Sequence, residues 1–239
     1  LHLVQRGEVD VVLAGAAEAA LSPFLVSCLA NAGALTTEGG DPAALSRPFD
    51  RDRTGFVPAE GGAMVVLEPL ERARARGARV ICELVGGALG CDAYHITAPE
   101  PNGAGAERVL RRALGSARTD RVGAIVAHGT GTKLNDVAES AAIARVLGER
   151  LPVVPVTAPK SIFGHTLGAA GALGAGAGAL IVQHGAVPPT ANYEHQDPDC
   201  APLALAAEGS RPLPDGCVLV NAFGFGGQNA VLVLGPADA

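Results

Sequence analysis

Val122-Gly-Ala-Ile-Val-Ala-His128-Gly-Thr-Gly-Thr132 is the stretch that decides how this chain folds. From Val122 to Ala127 every residue is apolar or small, which is the length and character of a buried strand. His128 follows where that strand stops, set among glycines. Beyond it, Asn135-Asp136 supplies the cap of a helix running to Leu147, with Glu139 in the position of a capping partner. Strand, glycine-rich loop and helix in that order form the unit of α/β architecture, whose chemistry sits in loops at strand ends.

The same alternation extends in both directions. Upstream, Leu1 to Gly7 reads as the last two turns of an amphipathic helix closed by a glycine cap, with no initiator methionine and no signal peptide, so the chain looks cut at its beginning. Val9 to Gly15 and Gly62 to Pro69 read as buried strands. Between them lie a helix from about Ser22 to Ala34 and an irregular Gly/Pro/Asp-rich segment, Glu38 to Glu60. Leu70 to Arg76 is a short charged helix, Val80 to Ala88 a long strand, and Ala104 to Ser116 a helix by apolar spacing. Downstream, Leu151 to Thr157 is a strand, and a long Gly/Ala helix begins near His165. Cys217 to Phe223 and Gln228 to Leu234 form an antiparallel hairpin around Gly224-Phe-Gly-Gly227. The class is α/β with a mixed sheet.

Composition narrows the function. The 239 residues contain 48% hydrophobic side chains, enough for a sizeable core. A net charge of −6 with no basic block disfavours nucleic acid as a partner. The five cysteines, at 28, 82, 91, 200 and 217, have no C-x-x-C spacing, which argues against a disulfide framework or a zinc site. Aromatic residues make up only 3%, so close backbone packing replaces large plugs in the core. The apolar stretch Leu167 to Gln183 has the look of a membrane span, but glycines at 168, 171, 174, 176 and 178 suit a buried helix packed on both sides, and no membrane role is expected.

Two histidines concentrate the chemistry: His128, and His165 in Lys160-Ser-Ile-Phe-Gly-His165-Thr-Leu-Gly. Of eighteen basic residues only Lys133 and Lys160 are lysine, and each stands five positions from one of the histidines. A neutral imidazole donating N–H can stabilise an oxyanion, and Gly129 and Gly164 would leave room for a substrate beside each ring. Lys160 reads either as support for a carboxylate or carbonyl behind the pair, or as a solvated lysine. Thr130 and Thr132 offer hydroxyls to an amide-bearing arm, or simply cap the loop. The Gly224-Phe225-Gly226-Gly227 corner would present amide N–H groups to a developing oxyanion, with Phe225 as an apolar gate; core packing of Phe223 and Phe225 is the alternative.

At these residues the chain resembles the β-ketoacyl synthases of the thiolase fold. The likeness runs through Asp10-Val-Val-Leu-Ala-Gly, Ser46-Arg-Pro-Phe-Asp50, Gly55-Phe-Val-Pro-Ala-Glu-Gly-Gly, Asp92-Ala-Tyr-His-Ile-Thr97, both histidine motifs, Val187-Pro-Pro-Thr190 and Asn221-Ala-Phe-Gly-Phe-Gly-Gly-Gln-Asn229. The resemblance implies layered five-stranded mixed sheets and helices (αβαβα), with residues 1–75 the end of an N-terminal half and 76–239 the C-terminal half. It implies decarboxylative condensation of malonyl-carrier protein with an acyl thioester held on a cysteine. His128 and His165 would bind the malonyl thioester carbonyl, Lys160 would orient them, and the Phe225 amide would donate to an oxyanion. Thr130, Thr132, Phe223 and Gly226 would contact substrate. No cofactor or metal is implied beyond the phosphopantetheine of the acyl carrier protein. The expected partners are that carrier protein and a second subunit, as homodimer or heterodimer, in the cytoplasm.

Two departures accompany the likeness. The resemblance implies that the family's nucleophilic cysteine would lie upstream of Leu1, since none of the five cysteines here has its context. Gly174 stands where elongating members usually carry glutamate. The Gly131-Thr-Lys-Leu-Asn-Asp136 loop resembles the polyketide branch, whose ketosynthases pair with a chain-length factor, so a non-catalytic chain-length factor is the second reading. A thiolase proper is a weaker third, since its C-terminal glycine-rich motif would carry a cysteine.

Overall fold

The computed structural model describes residues 1–115 and 119–237. In chain order its helices are α1 (His2–Gln5), α2 (Pro23–Asn31), α3 (Leu70–Ala75), α4 (Ala104–Leu114), α5 (Lys133–Leu147), α6 (Lys160–Phe163) and α7 (Ala170–His184). The strands are β1 (Val12–Glu18), β2 (Gly61–Leu67), β3 (Glu83–Cys91), β4 (Val122–Val126), β5 (Val156–Thr157), β6 (Ala186–Val187), β7 (Arg211–Pro212), β8 (Cys217–Gly224) and β9 (Gln228–Gly235).

The main sheet has the order β3-β9-β8-β4-β5. β4 runs parallel to β5 and β8, while β9 is antiparallel to both β8 and β3, so the sheet is mixed as expected. Every residue of β4 is buried, because helices cover the sheet on both faces. α4 and α5 lie on one face, where Leu110, Ile125, Ile143, Leu219 and Val231 share a core cluster. α7 lies on the other, where Val126, Ile181, Val218, Val220 and Leu234 form a second.

β1 and β2 pair antiparallel in a separate sheet, and α7 packs between it and the main sheet. Layers of sheet, helix, sheet and helix result, in the manner of the thiolase fold. The second sheet has two strands among the described residues, and its strands are covered on one face only. Leu13, Met64 and Val66 on the open face are 70%, 64% and 56% exposed. β1 and β2 are therefore half-buried strands, a distinction that a short apolar run does not make.

Other boundaries shift for local reasons. The strand expected at 151–157 shrinks to Val156–Thr157 because Pro152 and Pro155 lack the N–H a ladder requires. α5 starts earlier than its supposed cap: Thr132 is the N-cap, and Asn135 and Asp136 fall inside the first turn. α2 is capped by Ser22, whose hydroxyl accepts from the Leu25 N–H at 3.3 Å. The expected last residue of α4, Ser116, lies outside the described residues. α1 is a single turn, closed by Gly7 at φ 67°.

The helical stretch Leu167–His184 is long and apolar enough by length and composition to cross a membrane. It lies instead between two sheets, held there by glycine. A Cβ on Gly178 would come within 2.6 Å of Val220 Cγ2 and 2.9 Å of Leu234 Cδ1, and one on Gly174 would stand 3.3 Å from Val220 Cγ1. Only Ala170, Gly178 and Ile181 of α7 are fully buried, so the helix touches both sheets without being enclosed on all sides.

Candidate active site

β4 delivers His128 to the base of a cavity of about 420 Å³, and the turn after α6 brings His165 to the same place. The two rings stand 5.5 Å apart between centroids and nearly perpendicular, at 87°. His165 is clamped by backbone: its N–H donates to the Val57 carbonyl at 2.7 Å and its carbonyl accepts from the Ala59 N–H at 3.0 Å. Phe56 meets its ring edge-on at 4.9 Å, and Phe223 lies 5.7 Å from the His128 ring.

Hydrogen bonds fix which nitrogen of each ring carries the proton. The Leu167 N–H donates to His165 Nδ1 at 3.1 Å, so the proton of the neutral ring resides on Nε2. Lys160 Nζ stands 3.3 Å from His128 Nδ1 and also donates to the His128 carbonyl. A protonated Lys160 therefore leaves Nε2–H on His128 as well. Burial, followed by the Lys160 charge, lowers His165 from 6.5 to about 3. Burial, then Lys160, then His165 hold His128 well below its ordinary value. Burial brings Lys160 down to about 8, against the attraction of Glu139 and Asp136. Around neutral pH the site thus holds two neutral imidazoles and one ammonium.

Two buried carboxylates on α5 organise this loop from beneath. Glu139 accepts from the N–H of His128 at 2.7 Å and of Gly129 at 2.8 Å, and from Asn221 Nδ2 at 2.9 Å. Asp136 accepts from the Phe49 N–H at 2.7 Å and the Thr130 N–H at 3.2 Å. Burial raises both carboxyls above their ordinary values, with these hydrogen bonds opposing. Arg53, whose side chain is fully buried, pairs with Asp136 at 3.4 Å and with Asp197, and these acids outweigh the cost of burying its charge. Glu139 is therefore a scaffold for the histidine loop and not the capping partner its spacing suggested. The α5 pattern held the clue: Asp136, Glu139, Ile143 and Val146 follow helical spacing, so the two acids share the buried stripe. Arg53 carried no comparable sequence cue.

The glycines beside the histidines serve the protein and not a substrate. A Cβ on Gly129, at φ 40°, would lie 2.7 Å from Ala158 Cβ; one on Gly164, at φ 75°, would lie 2.9 Å from Ala59 Cβ and from the Val57 carbonyl oxygen. Both residues let segments approach closely, contrary to the room expected beside the rings.

Thr130 and Thr132 line the cavity, and their hydroxyls are bonded to each other at 2.9 Å. Phe223 and Phe225 also line it, the latter 53% exposed at its edge. Gly226 departs from expectation: it does not line the cavity, and its N–H already donates to the Ile96 carbonyl at 2.8 Å. None of the five cysteines lines the cavity, and all are free. Asp50, Asp52 and His195 gather elsewhere with ligand atoms within 4.8 Å, but the Asp50 carboxylate already accepts N–H bonds from Asp52, Glu194 and His195.

Comparison with known proteins agrees with this geometry. Residues 1–73 match the family model for the β-ketoacyl synthase N-terminal domain and residues 81–194 that for the C-terminal domain. The chain is 44% identical over 233 residues to 3-oxoacyl-[acyl-carrier-protein] synthase 2 of a Synechocystis species, covering 97% of the chain and 56% of that protein. It is 44% identical over 235 residues to the tetracenomycin polyketide synthase ketoacyl synthase alpha subunit of Streptomyces glaucescens, covering 98% and 55%. Among solved structures, a type II PKS acyl-carrier protein in complex with its ketosynthase (AntDE:AntF) superposes with a TM-score of 0.94 at 37% identity, over 99% of this chain and 59% of that one. The ishigamide ketosynthase/chain length factor gives 0.89 at 43%, over 98% and 56%. The chain spans just over half the length of these relatives. With both domain models matched in order and the fold shared, the chain belongs to the β-ketoacyl synthase family.

Proposed function

We propose that the chain is part of a β-ketoacyl-acyl carrier protein synthase of polyketide or fatty-acid biosynthesis, residues 1–75 closing an N-terminal half and 76–239 forming the C-terminal half. The observation that carries this reading is the pair of neutral imidazoles facing one cavity, with Lys160 behind His128. A malonyl thioester seated there places its thioester oxygen against the two Nε2–H donors. The carboxylate leaves as carbon dioxide, and the electron pair of the broken C–C bond becomes an enolate whose oxygen accepts both N–H groups. That charge develops in a buried site with donors already in place, the arrangement in which hydrogen bonds lower a barrier most. The enolate carbon then attacks an acyl thioester, forming the new C–C bond and expelling the thiolate of a cysteine outside these 239 residues. The Phe225 amide donates to that second oxyanion, and Phe225 itself closes the cavity edge.

The acyl groups ride on carrier-protein phosphopantetheine, and the reaction draws on side chains and the thioesters without a further cofactor. Thr130, Thr132 and Phe223 line the path of the arm. A homodimer or a heterodimer with a ketosynthase or chain-length-factor subunit is the assembly we propose, in the cytoplasm.

A chain-length factor remains the second reading because of Gly174. It packs against Val220 and offers no carboxylate where elongating members usually carry one. Incubating the native protein with an acyl thioester and mapping adducts by mass spectrometry separates the two. A thioester adduct on a cysteine is expected of the ketosynthase; no adduct on any cysteine would establish the chain-length-factor reading instead.

A further inference from the structure

Behind the threonine wall of the cavity lies Arg53, whose side chain is fully buried and does not itself line the cavity. Its guanidinium holds three separate stretches of chain. Nε donates to the Thr132 carbonyl at 3.2 Å and faces the Asp136 carboxylate at 3.4 Å, and Nη2 donates to the Lys133 carbonyl at 3.2 Å. Nη1 donates to the Asp50 carbonyl at 2.8 Å and to the Asp197 carboxylate. A lysine, with one nitrogen on a flexible stem, could not serve those directions at once. The rigid fork therefore fixes the geometry of the groups that accept from it.

Two of the accepting carbonyls belong to the loop that carries Thr130 and Thr132, and that loop has two distinct anchors. At its histidine end, Glu139 holds the His128 and Gly129 amides and Lys160 holds the His128 carbonyl. The chain then passes through left-handed glycines at 129 and 131, at φ 40° and 77°, where backbone freedom is greatest. There the holding groups are Arg53, at the Thr132 and Lys133 carbonyls, and Asp136, at the Thr130 N–H. Asp136 depends on Arg53 in turn: burial raises its carboxyl, and the Arg53 charge is the foremost influence opposing that rise. The carboxylate oxygen that faces Arg53 also accepts the Phe49 N–H at 2.7 Å. Phe49 sits at φ 64°, a costly conformation for a bulky residue, with a ring carbon 3.1 Å from where a Cβ on Gly129 would stand. Strain of this kind persists only where the surroundings over-determine it. The Arg53–Asp136 pair supplies that constraint next to the histidine loop.

We propose that Arg53 is a positioning residue, which sets the backbone from Thr130 to Lys133 and so the threonine wall of the cavity; its consequence for substrate rests on the carrier-arm reading given above. The test compares the full-length native protein with R53K, which keeps the charge but not the fork, and with R53Q, which keeps neither. Hydrogen exchange needs no substrate. In both variants amides of residues 130–136 should exchange roughly tenfold faster, the scale of losing hydrogen bonds to a charged group, while those of residues 160–169 keep their native rates. Carbon dioxide release is then followed from malonyl-pantetheine and from the malonyl thioester of ethanethiol, which has no arm. The wild type is expected to show the lower KM for malonyl-pantetheine. In the variants that KM should rise roughly fivefold, the scale of one hydrogen bond lost along the arm, with kcat and the KM of the armless thioester unmoved. Unchanged exchange at 130–136, equal loosening of both segments, or full retention of a preference shown by the wild type would overturn the proposal. Failure of both variants to fold would overturn it too, by making Arg53 a residue of the fold and not of the loop. If residues 130–136 loosen while the wild type itself shows no preference between the thioesters, the role of Arg53 stands and the carrier-arm reading fails.

Discussion

At the scale of single residues, the site works by withholding protons. His165 titrates at about 3 and Lys160 at about 8, each lowered by burial, so between those values the imidazole is neutral and the ammonium charged. That combination keeps Nε2–H on both rings. Lys160 losing its proton gives its nitrogen a lone pair that can accept from Nδ1–H, so the His128 tautomer is no longer fixed with its proton on Nε2, and carbon dioxide release from malonyl thioester should decline with an apparent pKa of about 8; a rate still rising through pH 9 would contradict this. Stability carries the opposite limb. An unfolded histidine takes up a proton near pH 6.5 that the folded ring refuses until about 3, so the unfolded state binds more protons across that window and stability falls as pH drops through it. Chemical denaturation of the wild type and of H165N should show a shallower acid slope in the variant. Equal slopes would mean that His165 is protonated in the folded protein.

At the scale of elements, α7 depends on glycine at chosen positions. Gly178 has no room for a Cβ against Val220 and Leu234, whereas Gly176 has nothing within 4 Å. Alanine at 176 should stabilise by up to about 1 kcal/mol through helix propensity. At 178 the same propensity gain is opposed by overpacking of about 1–3 kcal/mol, and we expect net destabilisation. Melting temperatures of G176A and G178A moving in the same direction would refute this account of how α7 is seated.

The elements also show what was legible from sequence. β4, β8, β9, α4 and α7 could be read because each carries a run or a period that only one state satisfies. β5 could not, because prolines at 152 and 155 cut short an otherwise apolar run. The start of α5 was misplaced because Asn135 and Asp136 are good caps in isolation, and Asp136 is committed instead to Phe49 and Thr130. His128, His165 and Lys160 were legible as a group through their motifs. Their supporting carboxylates were visible in sequence but misassigned, since the partners of Glu139 are backbone amides from another element and no local pattern announces them.

At the scale of the whole molecule, the cavity is assembled from segments far apart in sequence. Val57 and Ala59 hold His165, Phe49 binds Asp136 beneath the His128 loop, and Phe223 from the C-terminal hairpin closes on the His128 ring. Residues on both sides of the junction between the two matched domains thus build one site, as expected of a cavity that must hold two donors at fixed separation. In the proposed reaction, the part that falls to this cavity is decarboxylation and enolate stabilisation by the histidine pair. The most direct test is release of labelled carbon dioxide from malonyl-carrier protein by the native protein and by H128A and H165A, each checked for an unchanged melting transition within a few degrees. We predict a loss of roughly a hundredfold or more in each variant, the scale of removing an oxyanion donor; a folded variant releasing carbon dioxide at the native rate would contradict the role given to the histidine pair.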